Sequence, residues 1–86
     1  MAAVRKTKWL GDGDTVRRVR TGEREAFADL VERYRDLVYA LAWRHLGNAE
    51  DARDAAQEAF IQAYLCLDQL REPDRFGPWL RQVTLN

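Results

Sequence analysis

The sequence predicts an all-α domain, a small bundle of three main helices with a short N-terminal helix before them. Three observations predict it. Glycine and proline are few, at five and two in 86 residues, which leaves little material for the turns of a β-rich chain. β-branched residues are scarce apart from a few Val and Thr. Apolar residues also recur at three-four spacing over long stretches, the mark of helices with one buried face.

Met1 to Gly13 is basic at first and then reads WLGDGD, with no helical repeat, so residues 1–13 are expected to form a flexible N-terminal extension ahead of a domain at 14–86. Asp14 is a cap for a short helix through Val16, Val19 and Arg20, ended at Thr21-Gly22, where glycine supplies a left-handed residue. A second helix is predicted from Glu23 to Leu46. Phe27, Leu30, Val31, Tyr34, Leu37, Val38, Leu41 and Ala42 form its buried stripe over about six turns. Gly47 stops it and Asn48 restarts the chain, so helices two and three should make an antiparallel hairpin. His45, at the end of the second helix, suits a capping or packing role beside the negative end of the dipole.

The third helix, Asn48 to Leu70, is the centre of the functional argument. Asn48 caps it, and Glu50 and Asp51 place negative charge at its positive end. At about 100° per residue, Ala52, Ala56, Ala59, Phe60, Ala63 and Leu67 share one side, which reads as core. Asp54, Gln57, Glu58, Ile61 and Leu65 share the other. Two accounts fit that second face: Ile61 and Leu65 pack beneath another part of this chain, or the face docks on a partner that brings arginine or lysine. Pro73 is expected to end this helix, and Asp74, or Gly77 with Pro78 at the first helical position, to cap a fourth carrying Phe76, Trp79, Leu80 and Val83.

The chain is long enough for one domain. Its zero net charge is a sum of unlike parts: residues 1–24 balance at +4, residues 48–70 at −4. An acidic third helix is not an element to lie on phosphates. The single Cys66 forms no internal disulfide, no apolar run approaches the roughly 20 residues of a membrane span, and no secretory signal opens the chain, so a reducing, cytoplasmic home is expected. There is no glycine-rich phosphate loop and no nucleophile with a base at hand. With one histidine and one distant cysteine, neither a catalytic site nor a metal site nor a cofactor is expected. The loop Arg71 to Gly77 alternates charge with an aromatic and a proline, a composition able to accept an unstacked base if arginine meets phosphate.

The run GEREAFADLVERYRDLVYALAWRHLGNAEDARDAAQEAFIQAY followed by FGPWLRQVTLN resembles region 2 of the sigma-70 family, in its extracytoplasmic-function (ECF) group. The spaced elements AF, Arg33-Tyr34, Val38-Tyr39, LGN, ED, D-x-x-QE-x-F and F-x-x-WL carry the resemblance. It implies a promoter-recognition domain, not an enzyme, that joins RNA polymerase core during transcription initiation. It further implies that Asp54, Gln57 and Glu58, with Ile61 beside them, dock on the clamp helices of the polymerase β′ subunit. The same resemblance implies capture of the minus-ten promoter element as single-stranded DNA by the loop Arg71 to Gly77 and the following helix, through Arg71, Asp74, Arg75, Arg81, Gln82 and Asn86. WLRQVTLN departs from the family run W-L-x-x-I-A-x-N at Val83 and Thr84. The family continues with a basic helix and a helix-turn-helix domain, so a truncated last helix and an absent region 4 are expected. The alternative reading is a helical protein-interaction module held by an anti-sigma factor, with no DNA role in these residues.

Overall fold

In the computed structural model, which describes residues 11–86, the longest helix is Phe27–Leu46 (α2), preceded by Asp12–Arg20 (α1) and followed by Ala49–Leu65 (α3) and Phe76–Leu85 (α4). Single 3-10 turns join them at Arg24–Ala26, Leu67–Gln69 and Pro73–Arg75. No strand occurs among the described residues.

The hairpin of α2 and α3 forms as the residues at its corner demand. Gly47 takes φ +78°, the left-handed conformation that costs glycine least, and its N–H donates to the carbonyl of Trp43 at 2.8 Å. Asn48 is extended, and its side-chain oxygen accepts from the Asp51 N–H at 2.8 Å. His45 is exposed in the last turn of α2.

Packing follows the predicted stripes except at Leu37, which was expected in the buried stripe of α2 and is 38% exposed beside an opening toward Arg81. Leu30 and Val38 from α2, Ala59 and Ala63 from α3, Phe76 and Leu80 from α4 and Val16 from α1 meet in one core. The alanines let α3 approach closely, and aromatic rings fill the remaining volume. Phe76, fully buried, has its ring 6.4 Å from Phe27, 5.7 Å from Tyr34 and 5.9 Å from Trp79, and Phe27 stands edge-on to Tyr64 at 5.2 Å.

Element boundaries differ from the sequence expectations in five places. α1 starts at Asp12, two residues ahead of the expected Asp14 cap, with Gly11 at the cap position; Asp14 instead pairs with Arg17 at 3.1 Å. Asp12 and Gly13, expected within a flexible extension at residues 1–13, thus belong to α1, and residues 1–10 lie outside the described residues. Asp12 is drawn into the fold by α2, because its carboxylate accepts from the Tyr34 hydroxyl and pairs with Arg33. Burial, and then the bond to Asp12, push the Tyr34 phenol up to about 12.

The second helix opens as a 3-10 turn and becomes α-helical only at Phe27, whose ring is anchored in the core. α3 ends at Leu65 rather than Leu70, and the carbonyls of Leu67 and Leu70 in the turn that follows accept from an arginine of α1. Pro73 opens a 3-10 turn instead of closing α3. α4 has Arg75 at its cap position without a side-chain cap, so neither Asp74 nor Gly77 serves there. Its Pro78 sits in the first turn, where a missing N–H breaks no helical bond.

Candidate functional site

The outward face of α3 carries Asp54, Gln57, Glu58, Ile61 and Leu65, all exposed. Asp54, Glu58, Ile61 and Leu65 follow one another at steps of four, three and four, which lays them along a stripe about 16 Å long. Ile61 is 49% exposed and Leu65 70%, so the account in which this chain covers them is not met among the described residues. Nor does any of Asp54, Gln57 and Glu58 make a side-chain hydrogen bond or ion pair with another described residue. Two free carboxylates and an amide beside exposed aliphatic surface offer acceptors with little competition from within the fold.

A second feature lies where the 71–75 loop meets α4. Arg71, Arg75 and Gln82 line an open cleft of about 410 Å³ together with Gln69, Glu72, Pro78 and Trp79. The arginines are exposed cations at its rim, and half-buried Trp79 contributes an aromatic surface backed by Phe76. Such a cleft can hold a planar ring against tryptophan while the arginines meet a phosphate. The sequence reading placed Trp79 on the fourth helix with Phe76, Leu80 and Val83 and not among the residues expected to meet DNA. The helical steps 75, 78, 79 and 82 were the signal that these side chains also share an outer face.

The six residues expected to meet DNA do not assemble in one place. Arg71, Arg75 and Gln82 share the cleft. Arg81 points to another opening of about 650 Å³ between α2 and α4, lined by Leu37, Tyr39, Leu41, Trp43 and Arg44. Asp74 lies over Gly13 of α1, and Asn86 stands exposed at the C-terminal cap of α4. No helix among the described residues is long and apolar enough to cross a membrane.

Comparison with known proteins decides the family, because the family model described as Sigma-70 region 2 matches residues 30–86, which include α3, the loop and α4. The chain belongs to the sigma-70 region 2 family. Among similar proteins, the ECF RNA polymerase sigma factor SigW of Bacillus subtilis (strain 168) is 42% identical over 71 residues, covering 83% of this chain and 38% of that protein. The RNA polymerase sigma-H factor of Pseudomonas aeruginosa is 39% identical over 75 residues, 87% of this chain and 39% of that protein. The ECF RNA polymerase sigma-E factor of Escherichia coli (strain K12) is 40% identical over 77 residues, 90% and 40% of the two chains. The names of these relatives place this sigma-70 region 2 domain in the ECF group. It spans about two fifths of the length of the curated relatives it matches. Both the α3 stripe and the cleft fall within the residues that the region 2 model covers.

Proposed function

We propose that this sigma-70 region 2 domain serves transcription initiation as a promoter-recognition module with two working surfaces. The α3 stripe seats on the clamp helices of the RNA polymerase β′ subunit. The cleft between the 71–75 loop and α4 holds a base of the minus-ten element in single-stranded form.

The observation that carries this reading is that Asp54, Gln57 and Glu58, beside exposed Ile61, find no side-chain partner among the described residues. Carboxylates opposite guanidinium groups make charge-assisted, often bidentate hydrogen bonds, and an aliphatic neighbour contributes area removed from water. The names of the relatives add that they are RNA polymerase sigma factors. On the DNA side, Arg71 and Arg75 supply charge for the backbone, Trp79 a stacking surface and Gln82 a hydrogen-bonding edge for the base. Asp74 takes a structural role against α1, while Arg81 and Asn86 meet DNA strand outside the cleft. No step in this function makes or breaks a covalent bond.

The test is a titration of a β′ clamp-helix fragment with the wild-type chain and with Asp54→Ala and Glu58→Lys. Each substitution is expected to weaken binding by at least about 1 kcal/mol, the net scale of one ordinary hydrogen bond. Unchanged affinity in both would overturn the docking assignment. Fluorescence anisotropy with a labelled single-stranded non-template minus-ten oligonucleotide tests the cleft: Trp79→Ala should cost about 1–3 kcal/mol, the usual value of one base stacked on an aromatic ring. Binding that is independent of Trp79 and Arg75 would remove the cleft from the proposal.

A further inference from the structure

The segment that carries Arg71 and Arg75 lies between α3 and α4 and holds one 3-10 turn, and a helix from the other end of the chain holds it at two points. At its start, Nη2 of Arg20, the last residue of α1, donates to the carbonyl of Leu67 at 2.7 Å and also to the carbonyl of Leu70. The Leu67 and Leu70 side chains are buried, so these carbonyls belong to a turn fixed in the core. Nε of the same arginine lies 4.0 Å from the exposed carboxylate of Asp68. At the loop's far end, Gly13 of α1 lies so close beneath the Pro73–Arg75 turn that a Cβ there would come within 3.2 Å of the Asp74 backbone nitrogen. The first turn of α1 is in turn fixed to α2 through Asp12, Tyr34 and Arg33.

A loop gripped at both ends has few conformations left, and the five residues between Leu70 and Phe76 carry both cationic walls of the cleft. We infer that Arg20 is a positioning residue: by bridging the Leu67 and Leu70 carbonyls it sets the spacing of Arg71 and Arg75 across the cleft, and so determines which base the cleft accepts. This inference rests on the nucleic-acid reading of the cleft given above. Arg20 itself touches no DNA in it. The Leu67 carbonyl already accepts from the Leu70 N–H at 3.1 Å, and the charged donor of Arg20 ties the Leu70 carbonyl to the same turn, which fixes the direction in which Arg71 leaves it.

The experiment selects the whole 86-residue chain against a pool of short random-sequence single-stranded DNA and reads base preference by sequencing, for the wild type, Arg20→Met and Arg20→Lys. Simple destabilisation removes active molecules equally for every sequence and leaves preference ratios unchanged, so the ratio isolates positioning. Arg20→Met, which keeps the apolar stem and loses every donor, is expected to flatten the strongest base preference by about tenfold, the scale of one lost hydrogen bond from a charged group. Arg20→Lys, which keeps a charged donor, should recover most of it. A preference unchanged in Arg20→Met, or a lysine variant as flat as methionine, would overturn the inference.

Hydrogen exchange on the same proteins separates failure of this inference from failure of the reading beneath it. Arg20→Met should speed exchange across residues 67–75 and leave the α2–α3 hairpin protected. Unchanged loop exchange would overturn the clamp. Faster loop exchange in a chain whose wild type shows no base preference would uphold the clamp and overturn the nucleic-acid reading, and with it the link from Arg20 to base selection.

Discussion

Gly13 and Asp74 stand in such close contact that a Cβ on the glycine would fall 1.9 Å from Oδ1 of the aspartate. The carboxylate thus lies against the first turn of α1, where the positive end of a helix favours negative charge. Alanine at this site gains up to about 1 kcal/mol of helix propensity, and turning Asp74 away forfeits a comparable charge–dipole interaction. Gly13→Ala is therefore expected to stabilise the domain more in an Asp74→Ala background than in the wild type, by at least about 0.5 kcal/mol. Urea denaturation of the four proteins in the cycle measures the coupling. Strict additivity would mean that the two residues do not compete for the same space.

The Tyr34 hydroxyl gives the fold a sensitivity to alkali. Its pKa is pushed up to about 12 by burial and then by the bond to Asp12, against about 10 for a free phenol. The folded state therefore favours the protonated form. The stability this contributes is complete below about pH 10 and is lost as pH rises from about 10 to about 12. Tyr34→Phe should lower stability at neutral pH, through the lost bond, and make its decline above about pH 10 shallower. Urea midpoints for both proteins across that range decide it; equal slopes would argue against the tyrosine.

Burial separates residues that hold the domain together from those free for partners. Phe76 is fully buried against three other rings, and Phe76→Ala should cost about 3–5 kcal/mol, a large part of the roughly 5–15 kcal/mol typical of a domain. Ile61→Ser, on the exposed stripe, should change stability by no more than about 0.5 kcal/mol. On the docking proposal it should nevertheless weaken clamp-helix binding. A large loss of stability in Ile61→Ser would show that the stripe is part of the core in solution.

Asn48 is a separable contribution at the corner of the hairpin. Its side chain caps α3 through the Asp51 N–H, and Asn48→Ala should cost about 1 kcal/mol. Asn48→Gly should recover most of that loss, because glycine is itself accepted at cap positions. Thermal melts of the two variants provide the comparison.

What the sequence made legible was whatever local chemistry decides. The stripe from Phe27 to Ala42, the stop at Gly47 and the cap at Asn48 are written in neighbouring residues, and each appears in the structure, the stripe with Leu37 left exposed. The exposed acidic face of α3 was legible for the same reason, since a fixed helical step places Asp54, Glu58 and Ile61 together. Two boundaries that moved lie where distant partners meet the chain. Asp12 enters α1 because residues of α2 hold it, and α3 stops short of Leu70, ahead of a turn whose carbonyls accept from Arg20. The loop residues show the same limit: the chain places Arg71, Asp74 and Arg75 side by side, and only the packing of α1 separates Asp74 from the two arginines.

The bond from Arg20 to Leu70 spans fifty positions. At about 5–20 residues per second, a ribosome needs some 3–10 s to travel that distance. Throughout that interval the nascent α1 has no carbonyls to grip, whereas the α2–α3 corner, made of contacts between near neighbours, is free to close once Leu65 has been added. The order of synthesis thus makes the N-terminal helix wait for the turn after α3 before Arg20 can lock, and Phe76 and Leu80 of α4 join the core it shares later still.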